Sequence, residues 1–149
     1  MTDETLDILL VEDGEDDAAL FSQALKEAGL KPCVRLARNG AEALAIVFGD
    51  GSRGGPPLRP RLIVLDLKLP KVSGLEVLRR IKTTPRTQTI PVVILSSSQE
   101  NRDLAECYQS GANSYLVKPM DFDEFAELIR LLGRYWLQQN QTQKSEGIE

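Results

Sequence analysis

Histidine is absent from this 149-residue chain. No Ser-His-Asp triad, Cys-His dyad or histidine-based zinc site can be built from it. There are two cysteines, Cys33 and Cys107. Neither belongs to a CxxC pair and each has apolar neighbours, so two buried, reduced thiols are expected. No apolar run approaches the roughly 20 residues that span a bilayer. The N-terminal Met1-Thr2-Asp3-Glu4 has neither the basic nor the apolar region of a secretory signal. Basic excess is missing too: 18 Lys and Arg stand against 22 Asp and Glu, a net charge of −4. A nucleic-acid binder shows the opposite footprint. These absences point to a cytoplasmic protein with neither a membrane nor a nucleic acid as partner.

What is present is an ordinary globular composition, 42% hydrophobic and 27% charged. The length suits one domain and a core that needs no disulfide or metal. Short apolar runs alternate with amphipathic segments. Ile8–Val11, about Cys33–Leu36, Leu62–Leu67, Val92–Leu95 and about Ser114–Val117 read as strands. The first helix runs from a cap at Asp16 or Asp17 to about Ala28, with Gly29 stopping it. Asn39 caps the second, and Ser73-Gly74 opens the third. The fourth spans about Asn101–Gln109. The last runs from near Phe122 to about Gln138. Runs that are apolar throughout require burial on both faces, hence a parallel sheet between helices. The expected fold is α/β, a flavodoxin-like doubly wound five-stranded parallel sheet of order 2-1-3-4-5 with five helices. Residues 1–138 form the domain and 139–149 a polar, disordered tail. The Gly- and Pro-rich insert at 49–61 reads as a surface loop or a loop that contacts a partner.

The chemistry lies at the strand ends. Glu12 and Asp13 follow the first strand and Asp66 ends the third. In that strand order they converge at the switch point, where open α/β sheets bind ligands. Taken singly, each acid can be a helix cap or a turn residue. Taken together they would repel one another without a cation, and they favour Mg2+, a hard ion that takes oxygen ligands and keeps several waters. Lys118 ends the fifth strand at the same edge and can act as a compact positive charge, or simply be a surface lysine. Ser96 ends the fourth and can donate a hydrogen bond, or form a turn. Pro119 is expected to make a cis Lys118–Pro119 bond that aims the lysine. The set fits phosphoryl transfer to a carboxylate, with Asp66 as nucleophile.

In order along the chain stand Val11-Glu12-Asp13, Asp66-Leu67-Lys68-Leu69-Pro70 with Gly74, Leu95-Ser96-Ser97, and Tyr115-Leu116-Val117-Lys118-Pro119. From about Leu6 to Leu137 the chain resembles the receiver domain of two-component response regulators. The resemblance implies that Asp66 is the phospho-acceptor, that Glu12 and Asp13 hold the metal, and that Lys68 adds its backbone carbonyl. It implies that Ser96 is the switch hydroxyl, Lys118 the phosphate-pairing lysine and Tyr115 the switch aromatic. Gly14 departs from the family, where Asn or Asp is common, but removes no ligand. The Asp66–Lys71 run, the insert and Tyr135-Trp136-Leu137 are similar to small regulators that serve phytochrome-type histidine kinases. Such a kinase is then the expected partner, since any phosphohistidine must come from another protein.

On the last helix Phe125, Ile129, Leu132 and Trp136 form a core stripe. Leu128, Leu131 and Tyr135 form a second stripe, which reads as the margin of a broad core face or, in preference, as a homodimer surface. Two other functions compete with a phosphorylated receiver. A flavodoxin-like nucleotide or flavin binder needs a Gly-rich phosphate loop, where this chain has an acidic one. A phosphorylation-independent interaction module has no use for the intact acid set.

Overall fold

A computed structural model of the chain describes residues 6–49 and 56–142. The elements are β1 (Ile8–Val11), α1 (Glu15–Glu27), β2 (Val34–Ala37), α2 (Gly40–Phe48), β3 (Leu62–Leu65), α3 (Gly74–Thr83), β4 (Val92–Ser96), α4 (Asn101–Gln109), β5 (Ser114–Val117) and α5 (Phe122–Gly133). A π-helical turn, Arg134–Gln139, extends α5. The five strands pair in parallel in the order β2-β1-β3-β4-β5.

Strand periodicity sorts the core into two layers. Ile8, Leu10, Leu62, Val64, Val93 and Leu95 pack under α1 and α5. Leu9, Val11, Ile63, Leu65, Val92 and Ile94 pack under α2, α3 and α4. All four residues of β1 and of β3 are buried, as strands covered on both faces must be.

Local signals account for most helix ends. The Glu42 N–H donates to Asn39 Oδ1 at 2.8 Å, the Glu76 N–H to Ser73 Oγ at 3.3 Å, and the Glu124 N–H to Asp121 Oδ2 at 2.9 Å. Gly29 takes φ +79° after α1, a conformation that glycine adopts without a Cβ penalty. The start of α1 differs from expectation. Its N-cap is Gly14, with no side-chain cap, and Asp16 and Asp17 lie inside the first turn. The helix there starts immediately after the acid pair, from an extended Gly14.

Cys33 also differs: it is exposed, and only Cys107 is buried. Cys33 lies just before β2, the edge strand, whose residues are largely half-covered. Apolar sequence neighbours do not cover a side chain at an edge. Residues 50–55 of the insert and 143–149 of the tail lie outside the described residues. Among the described residues, no helix is long and apolar enough to cross a membrane.

Candidate functional site

The register of β1 on β3 pairs Val11 with Leu65. Glu12 and Asp66 are therefore the next residues along neighbouring strands. Each continues the ladder: the Glu12 N–H donates to Ala37 O at 2.9 Å and the Asp66 N–H to Val11 O at 3.1 Å. β3 stops one residue before Asp66, so the acceptor candidate follows the strand rather than lying within it. On the far side of β4, the Lys118 N–H donates to Ser96 O at 2.8 Å. Parity does the rest. Val11, Leu65 and Val117 pack with the α2–α4 layer, so Glu12, Asp66 and Lys118, one residue on, share the α1–α5 side. Leu95 packs with the α1–α5 layer, so Ser96 faces the other way.

The charges meet as that parity requires. Lys118 Nζ donates to Glu12 Oε1 at 2.9 Å, to Asp17 Oδ2 at 2.8 Å and to Asp66 Oδ2 at 3.1 Å. Carboxylate oxygens of Glu12, Asp13 and Asp66 lie within 4.8 Å of one another. Glu12 and Asp66 are buried, whereas Asp13 is exposed. Three convergent carboxylates with only oxygen donors and a water-accessible side fit a hard divalent cation. Burial pushes the Glu12 carboxyl above its ordinary value; the hydrogen bond and charge of Lys118 oppose this, and the charge of Asp66 adds to it. For Lys118 burial alone would lower the ammonium's pKa. The hydrogen bonds that Lys118 donates to Asp17 and Glu12 and the charges of Asp66 and Glu12 outweigh that, and the value is raised.

The loop after β3 is shaped around Asp66. The Lys68 N–H donates to Asp66 Oδ1 at 3.3 Å. A Cβ on Gly74 would lie 2.1 Å from Asp66 O and 2.7 Å from Leu67 Cα. Only glycine allows α3 to begin there. The other sequence-derived residues meet at Ser98, in the loop after β4. Ser96 is buried, and its Oγ accepts the Ser98 N–H at 3.2 Å. The Tyr115 ring is buried, its hydroxyl donates to Ser98 O at 3.0 Å, and burial raises its pKa. Ser98 Oγ in turn bonds Asp103 in the first turn of α4. Ser96, Tyr115 and α4 are thus joined through one loop residue.

The Lys118–Pro119 bond is trans, as are all described peptide bonds. The expected cis bond is therefore wrong. Trans is the lower-energy isomer before proline, and the strand end alone already brings Nζ to the acids. Of the last-helix stripe, Leu131 and Tyr135 are exposed, at 60% and 51%. Leu128 is half-buried and packs on the α1–α5 layer, so it does not belong to the exposed stripe. One participant escaped the sequence reading as a partner of Lys118, namely Asp17. Asp17 read as a cap, and its partner lies 101 residues away. The signal available was an excess of acids after β1 with a single lysine opposite.

Residues 8–130 match the response regulator receiver domain family. The chain is 38% identical over 135 residues to a probable methanogenesis regulatory protein, FilR2, of Methanothrix harundinacea, covering 91% of this chain and 86% of that protein. It is 36% identical over 131 residues to the response regulator Rcp1 of Synechocystis, covering 88% of each. The crystal structure of the Mn2+-bound form of Rcp1 superposes with a TM-score of 0.87 at 33% identity, over 93% of this chain and 99% of that one. That of the phosphorylated cyanobacterial phytochrome response regulator RcpA gives 0.87 at 33% identity, over 95% and 100%. With its strand order, its acid cluster and these likenesses, the chain belongs to the response regulator receiver domain family, as a receiver of two-component signalling close to the phytochrome response regulators.

Proposed function

We propose that Asp66 is the phospho-acceptor, charged from a histidine of a partner kinase while Glu12, Asp13, Asp66 and the Lys68 backbone carbonyl hold Mg2+. One observation carries this reading: Asp66 Oδ2 lies 3.1 Å from Lys118 Nζ, inside a group of three carboxylates close enough to share one cation. An Asp66 oxygen attacks phosphorus in line. The P–O bond forms as the P–N bond of the phosphohistidine breaks, and the released imidazole takes up a proton. Bound Mg2+ supplies charge neutralisation on the phosphoryl oxygens.

The chain's own groups do the remainder. Lys118 transfers its Asp66 hydrogen bond to a phosphoryl oxygen. Ser96 gives up the Ser98 N–H, to which its Oγ is now bonded, and donates to another. That change reaches Ser98 and hence the Tyr115 hydroxyl, so the surface near α4 and β5 rearranges. Hydrolysis reverses the charge: water attacks phosphorus, the bond to Asp66 breaks and inorganic phosphate leaves.

The partner must bring the histidine, since this chain has none. A groove beside Lys118, between α1 and the start of α5, is lined in part by Leu20, Met120 and Phe122. Met120 and Phe122 are exposed there, an apolar seat for a partner helix next to Asp66. Likeness to RcpA supports a phytochrome-type histidine kinase as that partner, and with it a cytoplasmic site of action. Exposed Leu131 and Tyr135 support a homodimer through α5. Light scattering at tens of micromolar should return twice the chain mass, and a monomer mass would remove the dimer.

Phosphorylation has a direct test. Incubated with acetyl phosphate and Mg2+, the protein should gain one phosphoryl group by intact mass, and Asp66→Asn should gain none. Normal labelling of that variant would place the acceptor elsewhere. Absence of labelling in the parent would favour a phosphorylation-independent module.

A further inference from the structure

Asp17 is the one carboxylate on Lys118 to which the acceptor reading gives no task. It lies in the first turn of α1 and makes the shortest of the three lysine contacts, 2.8 Å. Its side chain is 39% exposed, against 7% for Glu12 and 11% for Asp66. It is not among the three carboxylates close enough to share a cation. Asp17 therefore binds the ammonium without joining the metal's donor set.

Its charge is still felt by both ligands of the site. Glu12, Asp13, Asp17 and Asp66 against Lys118 leave an excess of negative charge that a divalent cation only partly cancels. Without Asp17 the cation would cancel it fully. The residual charge attracts an incoming metal and repels an incoming phosphoryl group. Asp17 also occupies one of the three N–H donors of Lys118, the group a phosphoryl oxygen needs.

A helix N-terminus favours acids in any case. Glu15 and Asp16 meet that preference while exposed to solvent; of the three, only Asp17 reaches inward to the lysine.

We propose that Asp17 is a positioning residue that sets the balance of the site between divalent cation and phosphoryl group. By holding Lys118 as a counter-ion, it strengthens metal binding and weakens retention of the phosphoryl group. The proposal rests on Asp66 being the acceptor and on the acid cluster holding the metal.

Asp17→Asn in the full chain tests it, because asparagine keeps the size and the acceptor oxygen and removes only the charge. Mg2+ affinity is measured by calorimetry on the unphosphorylated protein. Affinity for beryllofluoride, a tetrahedral mimic of a phosphoryl group, is read by 19F NMR at saturating Mg2+. The variant should bind Mg2+ roughly two- to fivefold more weakly and beryllofluoride roughly two- to fivefold more tightly, the range a partly exposed charge pair commands. Asp17→Glu should return both constants toward those of the parent. Both effects should shrink in about 1 M salt, where exposed charges are screened within about 3 Å.

A helix-start role alone would leave both constants unchanged or weaken both together, and either outcome overturns the proposal. If the parent protein takes up neither ion, the acceptor reading itself has failed. If the parent takes up both and Asp17→Asn matches it, only the role of Asp17 has failed.

Discussion

Two half-buried lysines stand at opposite ends of the sheet. Lys118, at the carboxyl edge, gives its three N–H groups to three carboxylates. Lys82, at the end of α3, gives its three to Gln88 O at 3.1 Å, Ile90 O at 2.7 Å and Asn113 Oδ1 at 3.0 Å. Both are satisfied donors, yet burial lowers the pKa of Lys82 and the acids raise that of Lys118. Neutral oxygens give a buried ammonium geometry without counter-charge. Lys82 therefore ties the leads into β4 and β5 to α3 and has no charge to trade. Lys118 sits among more negative charge than it can balance and is free to change partners. The contrast separates a fastener from the lysine to which the proposed function gives the work.

The comparison breaks most sharply on phosphoryl uptake. Lys118→Met should slow phosphorylation by acetyl phosphate by at least about 100-fold, the scale for losing one electrostatic stabiliser of a transferring group. Lys82→Met should leave the rate unchanged within about twofold, since it removes no group from the site. Equal rates for the two variants would erase the distinction, and a phosphate-affinity gel time course decides it.

Stability should separate the two by their response to Mg2+. Lys82→Met strands carbonyl acceptors that are partly buried, at a cost of about 1–3 kcal/mol in urea unfolding. That cost should be the same with and without millimolar Mg2+. Lys118→Met leaves the buried carboxylates of Glu12 and Asp66 without their cation. It should destabilise the metal-free protein and regain stability as Mg2+ is added, because the ion binds only the folded site. A Mg2+-insensitive Lys118→Met would show that the acids do not form the metal site.

Alkaline pH should divide the same pair by sign. Between the lowered pKa of folded Lys82 and its unfolded value, the unfolded chain binds more protons, so this lysine makes stability rise with pH. Lys118, raised when folded, contributes stability that is full below the unfolded value, about 10.4, and is lost as pH rises above it. Lys82→Met should therefore fall away more steeply than the parent in this range, and Lys118→Met less steeply. Urea midpoints from pH 7 to 11, compared variant against parent, test both signs. Parallel curves would mean that neither lysine titrates as its surroundings dictate.

The smallest effect extends burial from lysine to thiol. Burial and the nearby acids Asp103 and Glu106 push Cys107 up to about 11, with Arg79 opposing. Cys33 is exposed. Iodoacetamide at about pH 8 should label one thiol per native chain and two in denaturant, because the thiolate is the nucleophile. Native labelling of Cys107 would mean that the face beneath α4 opens.

Much of this was legible in the chain. The strands showed themselves because two-sided burial demands unbroken apolar runs, and alternation with helices made the flavodoxin-like order 2-1-3-4-5 the leading choice, which the sheet has. Once that order is fixed, Glu12, Asp66, Ser96 and Lys118 fall at one edge, because each directly follows or ends such a run. What stayed hidden depended on distant or conditional partners. Asp17 read only as a helix cap and Lys82 drew no reading, since their partners come from other elements. Cys33 looked buried from its neighbours, although burial is decided by strand position in the sheet. Pro119 permits a cis bond without requiring one, and the backbone is trans. On α5, Leu131 and Tyr135 are exposed and Leu128 is half-buried, because a quarter turn separates the core seam from solvent only gradually.

Gly74 carries a consequence for how the molecule tolerates change. α3 begins with its backbone against the carbonyl of Asp66, in space that one methyl group would fill. A substitution there would be scored as a helix mutation by its position, yet its first effect would be to displace residue 66 from the level of Glu12 and Lys118. The place of the Asp66 carboxylate is thus defined as much by an atom that is missing eight residues later as by its own strand. A substitution scan of this chain should therefore find a position without chemistry of its own to be as intolerant as the charged residues around it.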